Sequence, residues 1–319
     1  MNSGPAAGSG PAISPYGACA EGEARPAHAR SAAEQVGLAA RLAVTAKTAP
    51  LALAALSGLI YAASFPPLSR SWAAWIALVP LLAASSRLSP RGAALAGMCW
   101  TATAAAGFAS FLPSMLSQYF GLPALPSALA SIAFTAVLLG IPVSAYAAWV
   151  AWLVRRRAAN PVLLAGGWIA CELARTHGVI DCPWALAAYS QLGWSPLIQI
   201  ADLFGPYGIG LLVAGVNACV AAWLVPDLRG RHPLLATTAV VTAVASTLLY
   251  GQWRLGHSFD VGEAVRVAVV QGGAPPAEKS ERSLRLQRYV ALSEDAAADL
   301  IVWPEYAVEA YLEEPSRIR

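Results

Sequence analysis

The sequence predicts a polytopic α-helical membrane domain of about seven spans, followed by the first β-α-β portion of an α/β domain. Hydrophobic residues make up 57% of the 319 residues and charged residues only 12%. A typical soluble domain has roughly 25% charged residues. Long apolar stretches follow one another through the middle of the chain. Near residue 265 they give way to short apolar runs that flank a charged helical stretch.

The first segment, residues 1–47, is predicted to be a disordered cytoplasmic tail. It is rich in Ala, Gly, Pro and Ser and has no long apolar run, unlike a secretory signal peptide. An arginine-rich transit peptide is the alternative, because the stretch has no acidic residue before Glu21.

The second segment, residues 48–252, is predicted to be the transmembrane helical domain. A spanning helix needs about 20 apolar residues, and only helices satisfy their own backbone hydrogen bonds within lipid. In the sixth apolar stretch, the motif FGPYGIG (204–210) predicts an interfacial bend before the span itself. The candidate spans are 48–66, 71–86, 92–112, 127–154, 161–175, 196–225 and 234–251.

The charges of the connecting loops predict the orientation of these spans. With the N-terminus in the cytoplasm, nine basic residues fall inside and two fall outside, which is a clear positive-inside bias. An odd number of spans then places the C-terminal segment on the periplasmic side of a bacterial inner membrane. The inner residues are Arg41, Lys47, Arg87, Arg91, Arg155, Arg156, Arg157, Arg229 and Arg231, and the outer ones are Arg70 and Arg175.

The last segment, residues 264–319, is predicted to begin an α/β layer. VRVAVVQGG (265–273) and DLIVW (299–303) are typical of buried strands, and ERSLRLQRYVALSEDAAA (281–298) is typical of a helix capped by Ser280. Two strands and one helix bury too little surface to fold alone, so we expect further structure to complete the layer.

Glu305 is the main candidate for chemistry. It lies just beyond a predicted strand end, where α/β proteins place functional groups. The preceding proline restricts the backbone there. The apolar run before it is expected to raise the pKa of the carboxyl and suit it to act as a general base. The alternative is an ordinary solvated carboxylate in a loop after a strand.

Ionisable residues within the membrane domain are weaker candidates for substrate binding. Glu172 and Arg175 are three residues apart, so they share a helical face and are predicted to pair. Such a pair at membrane depth either faces a substrate groove or has a structural role near the interface. Asp202 is a weaker case, and Asn217 is predicted to hydrogen-bond to a neighbouring helix.

Aromatic residues gather in the predicted outer segment between the fifth and sixth spans. Trp184, Tyr189, Trp194 and Tyr207 there predict an aromatic belt at the level of the lipid headgroups. A lipid-binding vestibule formed by this group is the alternative, and Trp184 is a weak candidate for substrate binding.

No metal site, cofactor or nucleic-acid partner is predicted. The net charge of +3 is small, and no basic stripe with interleaved aromatic residues is present. His177 and Asp181 make too small a pair for a metal. The cysteines have no metal-like spacing and are expected to be small packing residues. They are Cys19, Cys99, Cys171, Cys182 and Cys219.

Three stretches resemble the apolipoprotein N-acyltransferase family, which is part of the carbon–nitrogen hydrolase (nitrilase) superfamily. They are SFPP (64–67), CPWALAAYSQLGWSPLIQIADLFGPYGIGLLVAGVNA (182–218) and VRVAVVQGG…DLIVWPE (265–305). The resemblance implies that the last segment begins an α-β-β-α nitrilase-like domain. It also implies N-acyl transfer from a phospholipid, through a thioester on a cysteine, to the N-terminal diacylglyceryl-cysteine of an apolipoprotein.

The resemblance further implies a catalytic set of Glu, Lys and Cys, in which Glu305 of the WPE motif is the general base. No Lys or Cys follows Glu305, and the chain's lysines are Lys47 and Lys279. We therefore expect the front part of an acyltransferase, inactive by itself, with a second chain as a possible source of the missing residues. The implied partners are a phospholipid acyl donor, a diacylated lipoprotein acceptor and the membrane.

Two other functions are compatible with the pattern. One is a non-catalytic membrane subunit that binds lipid or a partner chain through unpaired strands near 265–273 and 299–303. The other is a transporter, which is disfavoured because no matched pair of broken helices appears.

Overall fold

The computed structural model describes residues 32–177, 181–257, 262–273, 282–305 and 307, with side chains from Thr48 onward. The chain divides into two compact units, Met1–Thr45 and Ala46–Arg319. Helix α1 covers Ala32–Ala63, so the structure differs from the predicted tail over residues 32–47. This stretch is rich in alanine and leucine, which favour a helix. The rest of the predicted tail lies outside the described residues.

The second unit is mostly helical. After α1, a 3₁₀ turn at Ser71–Ala73 leads into two short helices, and a π turn at Ala136–Gly140 joins α6 to α7. Further 3₁₀ turns cover Ala187–Gln191 and Pro226–Leu228. The helices are α2 (Ala74–Ala77), α3 (Val79–Ser86), α4 (Pro90–Phe108), α5 (Leu112–Phe120), α6 (Ala124–Thr135), α7 (Ile141–Arg155), α8 (Pro161–Thr176), α9 (Ser195–Ile198), α10 (Ala201–Leu224) and α11 (Pro233–Leu255).

Among the described residues, three helical segments are long and apolar enough to cross a membrane. They are Ala124–Arg155, which joins α6 and α7, and the helices α10 and α11. The number rises to four if α4 and α5, which bend by 62°, form one span. Every predicted apolar stretch lies on helix, but several helices are shorter than the roughly 20 residues of a full span.

Side-chain caps and prolines fix where several of these helices begin. The Oγ of Ser89 accepts a hydrogen bond from the Gly92 N–H at the start of α4. At the start of α8, the Asn160 side chain accepts one from the Leu163 N–H at 3.0 Å. A proline follows each cap, at a position where the helix needs no N–H donor.

Helices α4 and α7 pack closely through small residues and run antiparallel. Gly97 of α4 lies against the backbone of Ser144 in α7, whereas Gly140, before α7, lies against Met98 and Thr101, which is one turn further along α4 than Gly97. Since the residue number rises on one helix as it falls on the other, α4 and α7 are antiparallel. Small residues at such crossings let the backbones approach, as is common between membrane helices.

The C-terminal part contains strand β1 (Val267–Val269), helix α12 (Arg282–Glu294) and strand β2 (Leu300–Val302). The two strands are parallel, with Val267 opposite Leu300. Both are shorter than predicted, and the expectation of buried strands is wrong, since Val269 is 78% exposed and Leu300 52%. Two strands form too small a sheet to cover their own apolar side chains. The predicted Ser280 cap lies outside the described residues.

Candidate functional site

Glu305 lies in a turn that follows β2 directly. The turn is closed by a hydrogen bond from the Ala307 N–H to the Pro304 carbonyl at 3.1 Å. Glu305 itself is exposed, whereas Ala307 is buried. The apolar enclosure expected around the carboxyl is therefore absent from the described residues, and the carboxylate is open to a partner group.

The turn is anchored to α12 through Trp303. The indole Nε1 of Trp303 donates to the Ser293 Oγ at 2.9 Å, and that hydroxyl donates to the Tyr289 carbonyl at 2.6 Å. The rings of Trp303 and Tyr289 are 5.4 Å apart, and Tyr289 packs with Val270 and Ala307 in a small apolar cluster. These contacts fix the backbone that carries Glu305, although the carboxyl is exposed.

Glu172 and Arg175 form the predicted pair within α8. The distance from Arg175 Nη2 to Glu172 Oε1 is 3.8 Å, and the side chains are 3% and 1% exposed respectively. Glu172 Oε1 also accepts hydrogen bonds from Trp168 Nε1 at 3.1 Å and from the Ala187 N–H at 2.8 Å. The pair is therefore buried and bound to the segment that follows α8.

Arg175 holds the same segment through its carbonyls. It donates to the Trp184 carbonyl and, at 3.0 Å, to the Ala185 carbonyl. The Tyr61 hydroxyl donates to the Ala185 carbonyl too, at 2.8 Å. Ala185 has a φ of 50°, a strained value for a residue with a Cβ. Glu172, Arg175 and Tyr61 together hold the backbone of 184–187 in place.

Trp184 extends from this segment towards α5 and α6. Its ring lies 5.7 Å from that of Phe111 and 5.8 Å from that of Phe134. The residues that follow these two, Leu112 and Thr135, line an apolar cavity of about 440 Å³ between α4, α5 and α6. A cavity with this lining is suited to hydrocarbon.

This cavity could not be predicted from the sequence, because alanines from separate helices form much of its wall. The predicted outer aromatic group does not form a single cluster either. Trp194 contacts the Trp75 ring, and the Tyr207 hydroxyl hydrogen-bonds to Thr176. Tyr189 is 37% exposed.

The other predicted polar residues have helix partners. Asn217 is fully buried and hydrogen-bonds to backbone groups of residues 74 and 78, so its predicted bond to a neighbouring helix is confirmed. Asp202 pairs with Arg254 at 2.8 Å. Within the described part of the chain, no group of three potential metal ligands is present.

Comparison with known proteins gives a consistent result. A family model described as the apolipoprotein N-acyltransferase N-terminal domain matches residues 57–219. A Geobacter metallireducens protein named apolipoprotein N-acyltransferase is 32% identical over 280 residues, covering 83% of this chain and 52% of the relative. A Shewanella oneidensis protein of the same name is 31% identical over 269 residues, covering 82% of this chain and 50% of the relative.

A third relative with this name, from Methylococcus capsulatus, is 27% identical over 273 residues, covering 82% of this chain and 52% of the relative. The chain thus spans about half the length of the curated relatives it matches. These relatives are bacterial, and together with the apolar helices they indicate a bacterial membrane protein. On the family match and the three relatives, the chain belongs to the apolipoprotein N-acyltransferase family.

Proposed function

We propose that this chain supplies the membrane domain and the general base for N-acyl transfer from a phospholipid to the diacylglyceryl-cysteine of an apolipoprotein. The family match over residues 57–219 carries the proposal. The parallel strands β1 and β2, with Glu305 in the turn after β2, support the second half of it. The division into a helical domain at 48–252 and a nitrilase-like segment at 264–319 is part of the proposal.

In the proposed chemistry, Glu305 takes the proton from a cysteine thiol. The thiolate attacks an ester carbonyl of the phospholipid, a new C–S bond forms, and the ester C–O bond breaks as the lysophospholipid leaves with a proton. A lysine stabilises the oxyanion of each tetrahedral intermediate. The lipoprotein amine then attacks the thioester, a C–N bond forms, and the C–S bond breaks to regenerate the thiol.

The cysteine and lysine of this scheme are not among residues 306–319. We therefore propose that they come from a further polypeptide segment, and that the 319-residue polypeptide does not complete the reaction alone. The exposed apolar side chains of β1 and β2 support this, since a further layer of structure would cover them.

The helical domain is proposed to hold the acyl donor. Its cavity between α4, α5 and α6 is apolar and of suitable size for part of an acyl chain. The Trp184 ring contacts Phe111 and Phe134, whose following residues line this cavity. Trp184 is the proposed substrate contact. Glu172 and Arg175 are proposed to act through it, because they bind the backbone that carries Trp184.

The test is an assay of acyl transfer to a diacylated lipopeptide, with phosphatidylethanolamine as donor. We expect no triacylated product from the purified chain alone. Product is expected when the chain is combined with the part of the Geobacter metallireducens relative that this chain does not match, which is about half of its length. Glu305→Gln should lower the rate at least about a hundredfold, since general-base catalysis contributes roughly 10²- to 10⁴-fold.

A matched control is Glu294→Gln, which removes another exposed carboxylate at the end of α12 and should leave the rate unchanged. Product formed by the chain alone would disprove the need for a further segment. An unchanged rate in Glu305→Gln, with product still formed by the complex, would disprove the role of Glu305.

A second candidate function is a non-catalytic membrane subunit that docks a partner chain through β1 and β2. The exposed strand residues Val267, Val269 and Val302 favour docking of some kind. The same assay separates the two candidates. A complex that forms product with Glu305→Gln as fast as with the wild type would favour the subunit.

A further inference from the structure

The loops at one end of the helical domain are rich in arginine. Residues 87–91, 155–160 and 225–232 carry seven arginines, no lysine and one acidic residue, Asp227. The arginines are Arg87, Arg91, Arg155, Arg156, Arg157, Arg229 and Arg231. We call these seven residues the arginine end. Six of them are exposed, and Arg229 is half-buried.

The helix packing brings the three loops to the same end of the domain. Because α4 and α7 run antiparallel, the start of α4 and the end of α7 lie side by side. The loops 155–160 and 225–232 also touch. A Cβ built on Gly230, which has φ of 68°, would meet the Asn160 Cβ at 2.7 Å. The positive charges are thus gathered in space although they are scattered in the sequence.

Among the described residues, no ion pair neutralises this charge. The ion pairs found among the described residues are Glu172–Arg175, Asp202–Arg254 and Asp299–Arg266, and none of them involves the arginine end. Like charges brought together in this way attract anions from outside, and the attraction is strongest where low-dielectric surroundings limit screening.

Two arginines of the arginine end lie against tryptophans at the ends of candidate spans. The guanidinium of Arg156 lies 5.5 Å from the ring centre of Trp152, and that of Arg229 lies 5.5 Å from the ring centre of Trp223. Trp152 is in the last turn of α7 and Trp223 in the last turn of α10, both within candidate spans. Tryptophan is enriched at the headgroup level of membranes, and this is the level at which lipid phosphates are found.

We propose that the arginine end binds the phosphate headgroup of an anionic membrane phospholipid, with Arg156, Arg157 and Arg231 as the main contacts. Arginine suits this ligand because its planar guanidinium donates two parallel hydrogen bonds to a phosphate. Basic residues grouped beside membrane helices are a known basis for anionic-lipid binding. The site lies at the opposite end of α8 and α10 from the Trp184 segment and does not depend on acyl transfer.

The test uses the full chain in neutral detergent and counts bound lipids by native mass spectrometry. The probes are dioleoylphosphatidylglycerol and dioleoylphosphatidylcholine, which have the same acyl chains and differ in headgroup charge. We expect tighter binding of the anionic lipid, and weaker binding as salt is added. Each arginine removed should weaken that binding about fivefold, so Arg156→Gln/Arg157→Gln/Arg231→Gln should lose roughly a hundredfold.

The matched control is Arg70→Gln, compared with the single variant Arg231→Gln. Arg70 is exposed and precedes Ser71, whose carbonyl accepts from Gln191 in the segment that follows the end of α8, so it lies at the other end of the domain from the start of α8. We expect Arg231→Gln to lose affinity for the anionic lipid and Arg70→Gln to retain it.

Equal binding of the two lipids by the wild type would overturn the proposal, and this comparison needs no variant. So would an equal loss in Arg70→Gln and Arg231→Gln, which would show a general charge effect. Displacement of the anionic lipid by an equal concentration of inorganic phosphate would overturn the lipid as the ligand. Circular dichroism of each variant verifies that it remains helical.

Discussion

Asn217 replaces a helical hydrogen bond with a bond between helices. In an unbroken helix the Leu78 N–H would donate to the Ala74 carbonyl, four residues earlier. Instead, the Leu78 N–H donates to Asn217 Oδ1 and Asn217 Nδ2 donates to the Ala74 carbonyl, both at 2.8 Å. The amide therefore satisfies both backbone groups at the break between α2 and α3, and ties α10 to that break.

Asn217→Ala is expected to destabilise the helical domain by about 1 kcal/mol, the scale of a hydrogen bond between membrane helices. The variant leaves the Leu78 N–H and the Ala74 carbonyl buried without Asn217. Thermal unfolding in detergent, followed by helical circular dichroism, measures the loss. Gln199→Ala is the control, because Gln199 bonds locally to the Ser195 carbonyl at an exposed site. Equal melting temperatures for Asn217→Ala and the wild type would contradict this role.

Asp299 and Arg266, the residues just before β2 and β1, connect the two strands. The Asp299 carboxylate accepts from the Arg266 backbone N–H at 2.9 Å, and the Arg266 guanidinium lies 3.4 Å away. The backbone hydrogen bond first, and the guanidinium second, lower the pKa of Asp299. The pairing thus contributes stability above the ordinary pKa of an aspartate and loses it as the pH falls through the lowered value.

We expect hydrogen-exchange protection of residues 266–270, corrected for intrinsic rates, to hold at neutral pH and to fall at acidic pH, below about 4. Asp299→Asn should show lower protection at neutral pH and little further change on acidification, because the titrating group is gone. Asp295→Asn is the control, and it should behave as the wild type. Full protection in Asp299→Asn at neutral pH would contradict the prediction.

Among the side-chain contacts, the pairings between residues close in sequence were the predictable ones. Glu172 and Arg175 could be paired from their spacing on one helical face. The carbonyls that Arg175 binds could not, since they lie in an irregular segment whose path depends on Tyr61, in another helix. The same holds for Asn217, whose bonding to another helix was predictable but whose partner, 139 residues away, was not.

Among the elements, the bend in the sixth apolar stretch was predicted from FGPYGIG and is confirmed. Gly205 has φ of 61° and ψ of −167°, which interrupts α10 just before Pro206. Glycine alone adopts this conformation readily, and proline lacks the N–H that a continuous helix would use. A bend at a glycine and a proline can be predicted from the local sequence. The break between the short helices α2 and α3 could not be, because the side chain that bonds to it is Asn217 of α10.

The packing of α11 depends on Gly251. A Cβ at this position would overlap the carbonyl of Pro196, in α9. We expect Gly251→Ala to push α11 from α9 and to lower stability by about 1–3 kcal/mol, the usual range for overpacking. The shift in thermal melting, followed by tryptophan fluorescence, measures this effect.

Gly166→Ala is the matched control for Gly251→Ala. Gly166 is also helical, but no atom lies within 4 Å of a Cβ built there. Alanine at this position should be neutral or stabilising by up to about 1 kcal/mol, because it favours the helix. If both variants melt at the wild-type temperature, the α9–α11 contact does not limit stability.

Across the helical domain, the direction of the helices accounts for the uneven distribution of charge between its two ends. Antiparallel packing gathers the arginine end on one side, and the Trp184 segment lies at the other end of α8. The sequence predicted the asymmetry from loop charges alone. The prediction of about seven spans is not confirmed, since three or four segments among the described residues are long and apolar enough to cross. Hydropathy alone does not distinguish a full span from a short apolar helix that is buried among other helices.

The orientation of the helical domain is the last prediction. We expect a reporter fused after Arg231 to lie in the cytosol and one fused after His257 to lie in the periplasm. The two sites are separated by α11, which is 23 residues long and apolar enough to cross. Arginines before α11 favour the cytosolic side for its first turn.

Alkaline phosphatase, active only in the periplasm, and a fluorescent protein, which folds only in the cytosol, give complementary readouts at each site. High phosphatase activity after His257 and fluorescence after Arg231 would place Glu305 where a lipoprotein amine is available. The reverse pattern would put Glu305 in the cytosol and contradict the proposed function. Fluorescence at both sites would show that α11 does not cross, and the number of spans before β1 would then be even.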